Sequence, residues 1–135
     1  MPRVITRIPA AHSVVTPRLP ARVALWLLDT PRLSEAPSVK RLAGRLLKQP
    51  ALQGVVKAQS RLGQLLCRDC GNPRDRRMGF ELLRQAARAG DVGAQLELGQ
   101  LYCQSRHNEP KKARHWLELA VGQGSLEAQQ LLKQL

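Results

Sequence analysis

The chain has 135 residues and is strongly basic, with 22 lysines and arginines against 10 acidic residues and a formal net charge of +12. This length suits one domain, and with two Trp, one Tyr and one Phe the core must be built mostly from leucine and alanine. No apolar run approaches the length of a membrane span, which argues against a membrane-embedded protein. Twelve of the basic residues but only two acids lie in residues 1–68, so nearly all of the net charge belongs to the N-terminal half.

Residues 1–20 are predicted to form a basic, proline-rich arm that is extended or disordered. Four prolines forbid a sustained helix here, and the segment contains no acidic residue. The prolines also disfavour an amphipathic transit peptide, and the short apolar run at 23–28 has no secretory cleavage site after it. We therefore expect a cytoplasmic location.

Residues 21–57 are predicted to be a degenerate N-terminal repeat. A helix over 21–29 is followed by a proline-bounded loop over 30–37 and a second helix over 38–53, in which Pro50 kinks or shortens the last turns. This second helix aligns with a later segment of the chain at an offset of thirty-six residues.

Residues 58–93 and 94–127 are predicted to be two further copies of the unit. The segment AQLELGQLYC aligns with AQSRLGQLLC thirty-six residues earlier, and ARHWLELAVGQG aligns with GFELLRQAARAG thirty-four residues earlier. Apolar residues within each half recur at spacings of three and four, which indicates helices, and small residues such as Gly99 allow two helices to approach. A period in the thirties is typical of a helical solenoid.

The boundaries between copies carry the expected helix signals. Gly90 and Gly124 stand where a left-handed residue ends a helix, and Asp91 and Ser125 are suitable N-caps for the next helix. Residues 128–135 complete a capping helix that starts near residue 126. The pattern predicts an all-α, right-handed α–α solenoid of about three helix pairs plus this C-terminal capping helix.

Small, leucine, aromatic and acidic residues stand at fixed spacings in the last two copies. In the third copy these residues are Ala94, Leu98, Gly99, Tyr102, Glu109, Ala113, Trp116, Ala120 and Gly124. In the preceding copy they are Ala58, Leu62, Gly63, Asp75, Leu82, Ala86 and Gly90. This pattern resembles the Sel-one-like repeat (SLR), a relative of the tetratricopeptide repeat. The loops CRDCGNPRD and CQSRHNEP depart from the family's Gly-x-Gly turn, and Leu66 and Leu82 replace its usual aromatics. The resemblance implies a scaffold or adaptor that holds other proteins, not an enzyme.

Solenoids of this kind bind along the concave face that their first helices line. The polar residues of these helices that face away from the predicted core are Arg61, Gln64, Arg68, Glu97, Gln100 and Gln104. They predict a groove for an extended peptide or a partner helix. The alternative is that they are simply the solvated side of amphipathic helices.

A basic patch is predicted on the helix over 38–53. It consists of Lys40, Arg41, Arg45 and Lys48. Such a patch is either an ordinary solvated face or the electrostatic footprint of an acidic partner, which would be a protein, a nucleic-acid backbone or an anionic membrane surface. Trp26 is expected in the core, so these charges lack an aromatic stacking platform and any nucleic-acid binding would be non-specific.

The cysteines suggest one candidate metal site. Cys67 and Cys70 form a C-x-x-C motif, and Cys103 and His107 follow at nearby positions of the next copy. Equivalent positions in stacked helices lie about 10 Å apart, so these four residues are conceivable zinc ligands. In the alternative, Cys67 and Cys103 are small apolar core residues and Cys70 is a loop thiol. Because the chain has a single C-x-x-C, we expect no metal and no other cofactor.

No combination of residues indicates catalysis. The histidines have no partner at catalytic spacing, and the chain has no Gly-rich phosphate loop or paired carboxylates. The sequence therefore predicts a monomeric, non-enzymatic adaptor that binds another protein. A non-specific binder of nucleic acid or anionic membrane is the alternative.

Overall fold

The structure is a computed structural model that describes residues 19–69, 72–104 and 107–135. All regular secondary structure in these ranges is helical. The helices are α1 (Leu19–Asp29), α2 (Pro31–Ser34), α3 (Pro37–Leu52), α4 (Val56–Asp69), α5 (Pro73–Arg88), α6 (Val92–Cys103), α7 (Pro110–Gly122) and α8 (Leu126–Gln134).

The helices stack as successive hairpins. Helix α1 packs against α3 with the single turn α2 between them, α4 packs against α5, α6 packs against α7, and α8 packs on α7. The helices α1, α4, α6 and α8, here called the first-helix layer, also contact one another in that order. The helices α3, α5 and α7, the second-helix layer, are further apart in the described ranges, so the first-helix layer forms the inner side of the curve. The prediction of an all-α solenoid is confirmed.

The N-terminal elements differ in detail from the prediction. Helix α1 already begins at Leu19, so the last two residues of the predicted arm are helical, whereas the prediction for 1–18 lies outside the described residues. The predicted loop over 30–37 contains α2, and α3 starts at Pro37, because proline is well suited to the first turn of a helix. Pro50 lies inside α3, which runs on to Leu52.

The signals that separate the repeats are confirmed. Gly54, Gly90 and Gly124 all have φ between +90° and +97°, the left-handed conformation that follows a helix. The side chains of Asp91 and Ser125 each accept a hydrogen bond from the backbone N–H three residues further on. These two residues therefore start α6 and α8 as predicted.

Two buried glutamines, which the sequence did not single out, tie each repeat to the one before it. The side-chain amide of Gln59 donates to the carbonyl of Ala51 at 3.1 Å, and that of Gln95 donates to the carbonyl of Ala87 at 3.2 Å. These carbonyls lie at the C-terminal ends of helices, where backbone acceptors lack a partner within the helix. Gln123 extends the pattern by donating to the side chain of Gln95 at 2.9 Å.

Glycines set the spacing within the α4–α5 and α6–α7 hairpins. A Cβ atom built on Gly99 would lie 2.5 Å from Cδ2 of Leu117, which is completely buried and has no room to move away. In the preceding hairpin, Gly63 and Gly79 face each other, and a Cβ on either would lie 2.9 Å from the other's carbonyl oxygen. Gly44 is different, because a Cβ there would meet no atom within 4 Å.

We predict opposite effects of alanine at two helical glycines. Gly99→Ala should lower the free energy of unfolding by about 1–3 kcal/mol, because the methyl group overpacks the α6–α7 crossing. Gly44→Ala should raise it by about 0.5–1 kcal/mol, because alanine favours the helix and meets no obstacle. Urea unfolding followed by circular dichroism measures both changes. Equal stability of the two variants would contradict this account of the helix spacing.

Candidate functional site

Polar side chains join neighbouring helices of the first-helix layer. Nη2 of Arg61 on α4 donates to Oδ1 of Asp29 on α1 at 2.8 Å. Between α4 and α6, the guanidinium of Arg68 forms an ion pair with Glu97 through two nitrogen atoms. Thus a charged pair spans each of these two junctions between repeats.

The same arrangement continues to the C-terminal helix. Nε2 of Gln100 on α6 donates to Oε1 of Glu127 on α8 at 3.3 Å. Gln64 is half-buried, and Gln104 is exposed at the C-terminal end of α6. Five of the six residues predicted for the groove therefore lie on α4 or α6, and Gln104 directly follows α6. Four of the six also connect adjacent helices.

Glu97 departs from the expectation that these residues face away from the core. Only 4% of its surface is exposed, whereas the side chain of Arg68 is 60% exposed. Burying a carboxylate is costly unless it is paired, and Arg68 supplies the charge and the hydrogen bonds that Glu97 needs. The side chain exposed to solvent at this point is therefore that of Arg68, with Glu97 beneath it.

The four residues of the predicted basic patch line a groove on the opposite side of the molecule. This groove, here called the outer groove, has a volume of about 680 Å³ and lies between α3 and α5, with α4 beneath it. Its other lining residues are Pro37, Gly44, Leu62, Leu65, Leu66, Asp75 and Met78. Arg41, Arg45 and Lys48 are exposed and form no ion pair with any residue that the structure describes. Basic side chains thus form the rim of a groove with an apolar floor.

A second groove of about 590 Å³ occurs one repeat later, where α5 takes the place of α3. Here Phe80 occupies the position of Gly44, and its ring stacks on His107 and packs edge-on against Tyr102, both with centroids 5.4 Å away. Lys112 lies 5.6 Å from the centre of the Tyr102 ring, and its hydrogen bond to Glu109 raises the pKa of Lys112. Aromatic rings therefore extend into the second groove at a position where the outer groove has glycine.

The tryptophan expected in the core is exposed. The exposed surface of Trp26 is 61%, and Leu19 and Val23 lie on the same side of α1 with 72% and 43% exposed. Within the described residues no helix packs on this side of α1, so the prediction that Trp26 is buried is wrong. A stacking side chain is consequently available near the basic N-terminal half.

The candidate zinc ligands are not gathered into a site by the residues that the structure describes. Cys67 is half-buried on α4, with its sulfur 3.8 Å from the carbonyl oxygen of Arg76, and the ring of His107 stacks on Phe80. Cys103 is exposed, so its expected role in the core is wrong. Cys70 lies outside the described residues, and within them no three Cys, His, Asp or Glu side chains could share a metal ion.

The fold defines an α-solenoid built from helical hairpin repeats, and the described helices include none long and apolar enough to cross a bilayer. The Sel1 repeat family model matches residues 56–91 and 92–125, which is slightly more than half of the chain. The protein belongs to the Sel1 repeat family, whose members are in general non-enzymatic scaffolds for protein–protein interaction.

A solved structure has a similar fold. The crystal structure of a Sel1 repeat protein from Oxalobacter formigenes gives a TM-score of 0.59, with 31% sequence identity over 87% of this chain. The present chain spans only 31% of that protein's length. The curated proteins include no significant match.

The ion pair between Arg68 and Glu97 can be tested by a double-mutant cycle. Arg68→Met should lower the free energy of unfolding by about 1–2 kcal/mol, because it leaves a buried carboxylate without this partner. In a Glu97→Gln background the same substitution should cost less, with a coupling energy of about 1 kcal/mol. Urea unfolding at neutral pH gives all four values.

Arg84→Met provides the matched control for this cycle. Arg84 pairs with Glu81 at 3.6 Å on the surface of α5, and exposed pairs contribute about 0.5 kcal/mol or less. If Arg68→Met costs no more than Arg84→Met, the ion pair does not hold the two repeats together.

Proposed function

We propose that this protein is a monomeric cytoplasmic adaptor that binds a segment of another protein on its first-helix layer. The observation that carries the proposal is the set of charged and polar pairs joining α1, α4, α6 and α8. These pairs hold four helices in a fixed relation, and a pre-organised surface loses less entropy on binding than a mobile one. Membership of a family of interaction scaffolds supports the same conclusion.

The polar character of this layer fits an extended peptide or a helix better than a small molecule. Small-molecule sites are concave and mostly apolar, whereas the residues here offer guanidinium and amide groups along a row of helices. Arg68, Gln100 and Gln104 present such groups on successive turns at the α4–α6 junction and along α6. Amide side chains can satisfy both the N–H and the C=O groups of a bound backbone.

The basic N-terminal half contributes long-range electrostatic attraction to a negatively charged partner. Arg41, Arg45 and Lys48 are exposed on α3, and clustered charge of one sign raises the association rate of an oppositely charged partner. We therefore propose that the partner is acidic.

A second candidate function is non-specific binding of nucleic acid or an anionic membrane through the basic half. The exposed Trp26 favours it, because an aromatic ring next to basic residues can stack on bases or insert at a membrane interface. The two candidates differ in their response to salt. Binding to phosphates releases condensed counterions, and this gain shrinks steeply as the salt concentration rises.

The test is affinity capture with the full chain at about 0.05 M and about 0.3 M salt, followed by binding measurements with each purified candidate. We expect at least one protein to remain bound at the higher salt. The double variant Gln64→Glu, Gln104→Glu should weaken its binding at least tenfold, because both substitutions place negative charge on the first-helix layer and repel an acidic partner.

Gln49→Glu is the matched control, since it makes the same change at an exposed position of the second-helix layer. It should bind the partner like the unchanged protein. If only nucleic acid or lipid is recovered, and is lost at the higher salt, the second candidate replaces the adaptor. If the double variant and the control weaken partner binding equally, the partner does not bind on the first-helix layer.

A further inference from the structure

We infer that the outer groove is a second docking site, which binds an acidic peptide segment by taking up one aromatic side chain. The inference rests on the proposed function, because it takes the ligand to be a protein. It concerns a different face of the molecule from the first-helix layer. The first-helix layer lines one side of the stack, whereas the outer groove lies between two helices of the second-helix layer.

The outer groove differs from the second groove in having a glycine on α3 where α5 has a phenylalanine. Pro37, Lys40, Arg41 and Gly44 each lie thirty-six residues before a residue that lines the second groove. Three of these pairs are alike in chemistry, namely Pro with Pro and two basic residues with two arginines. The fourth pairs Gly44 with Phe80, whose ring packs against Tyr102 and His107.

Gly44 is not explained by helix packing. At Gly63, Gly79 and Gly99 a side chain would collide with a neighbouring helix, but at Gly44 a Cβ would meet nothing within 4 Å. Glycine inside a helix is also unfavourable compared with alanine. The space above Gly44 is therefore free for a side chain from another molecule, as the equivalent space one repeat later is used by this protein's own aromatic ring.

The floor and the rim specify the chemistry of the occupant. Leu65, Leu66 and Met78 on the floor are only partly buried, so an apolar side chain placed on them would remove apolar surface from water. On the α3 side the rim carries Arg41, Arg45 and Lys48, which favour carboxylates on either side of the inserted side chain. An aromatic residue flanked by acidic residues satisfies both requirements.

Other occupants fit less well. The segment 1–18 of this chain carries three arginines and no acid, and a second copy of the chain has a net charge of +12, so both are repelled by the rim. A phosphate group would use the rim but not the apolar floor. Asp75 lies on the α5 side of the groove, so the acidic residues of the ligand should follow α3.

The test uses a fluorescein-labelled peptide with one central phenylalanine between aspartates and glutamates, and the full chain, with binding followed by fluorescence anisotropy. Replacing the phenylalanine of the peptide with alanine should weaken binding at least tenfold. Gly44→Phe should weaken binding of the original peptide by a similar factor, because it places in the outer groove the side chain that the second groove already contains.

Gly122→Phe is the matched control, because Gly122 lies at the end of α7 and a Cβ there also meets nothing within 4 Å. This variant should bind the peptide like the unchanged protein. Arg45→Glu, a surface substitution that keeps α3 helical, should also weaken binding, and circular dichroism shows whether each variant is folded. A peptide with lysines in place of its acids should not bind.

Several outcomes would overturn the inference. Absence of peptide binding, equal binding of the phenylalanine and alanine peptides, or equal binding by Gly44→Phe and Gly122→Phe would each show that the outer groove takes no aromatic side chain. Tighter binding after removal of residues 1–18 would show that this segment is the natural occupant. The variant Gln64→Glu, Gln104→Glu should leave peptide binding unchanged, because neither residue lines the outer groove, so failure of the adaptor proposal and failure of this one give different results.

Discussion

The close contact of two helices within each hairpin is the constraint on which the rest of this structure depends. Leu117 packs directly against the backbone of Gly99, and Gly63 and Gly79 bring α4 and α5 together in the same way. A chain with so few aromatic residues has little large side-chain volume with which to fill gaps between helices. Its helices must therefore approach closely enough for leucine and alanine to form a dense core, and glycine at the crossing points permits this.

Contacts between hairpins have a different character. Gln59 and Gln95 bond to the carbonyl groups at the ends of preceding helices, and the pairs of Arg61 with Asp29 and Arg68 with Glu97 add charged links on the inner side. Hydrogen bonds are directional, whereas apolar packing is not, so these links fix the angle between successive hairpins. The proposed binding surface depends on that angle, because a partner must contact several hairpins at once.

Much of the fold could be predicted from the sequence because local signals agree with the repeat. Gly90 and Gly124 ended helices where expected, and Asp91 and Ser125 began them. These residues act on their own backbone, so their effect does not depend on distant parts of the chain. The membership of the family followed from the same pattern of small, leucine and aromatic residues.

The sequence does not reveal how the residues of one hairpin surround a side chain of a neighbouring hairpin. The helical pattern predicts that Glu97 faces away from the core, but the arginine that covers it belongs to the preceding repeat. Trp26 is predicted in the core, but α1 has no neighbour on that side within the described residues. The two glutamines were not singled out, because each bonds to a carbonyl group of the preceding helix, eight residues earlier in the chain. Alignment of Gly44 with Phe80 was also available and would have indicated the outer groove.

The two tryptophans lie in different parts of the stack, Trp26 on exposed α1 and the half-buried Trp116 on α7. In a linear array each repeat contacts only its neighbours, so the two ends can open independently of each other. Trp26 emits from a water-exposed setting even in the native protein, and unfolding should change its fluorescence little. Intrinsic fluorescence will therefore follow mainly the C-terminal hairpin, and opening of the basic N-terminal end will go largely unseen by it.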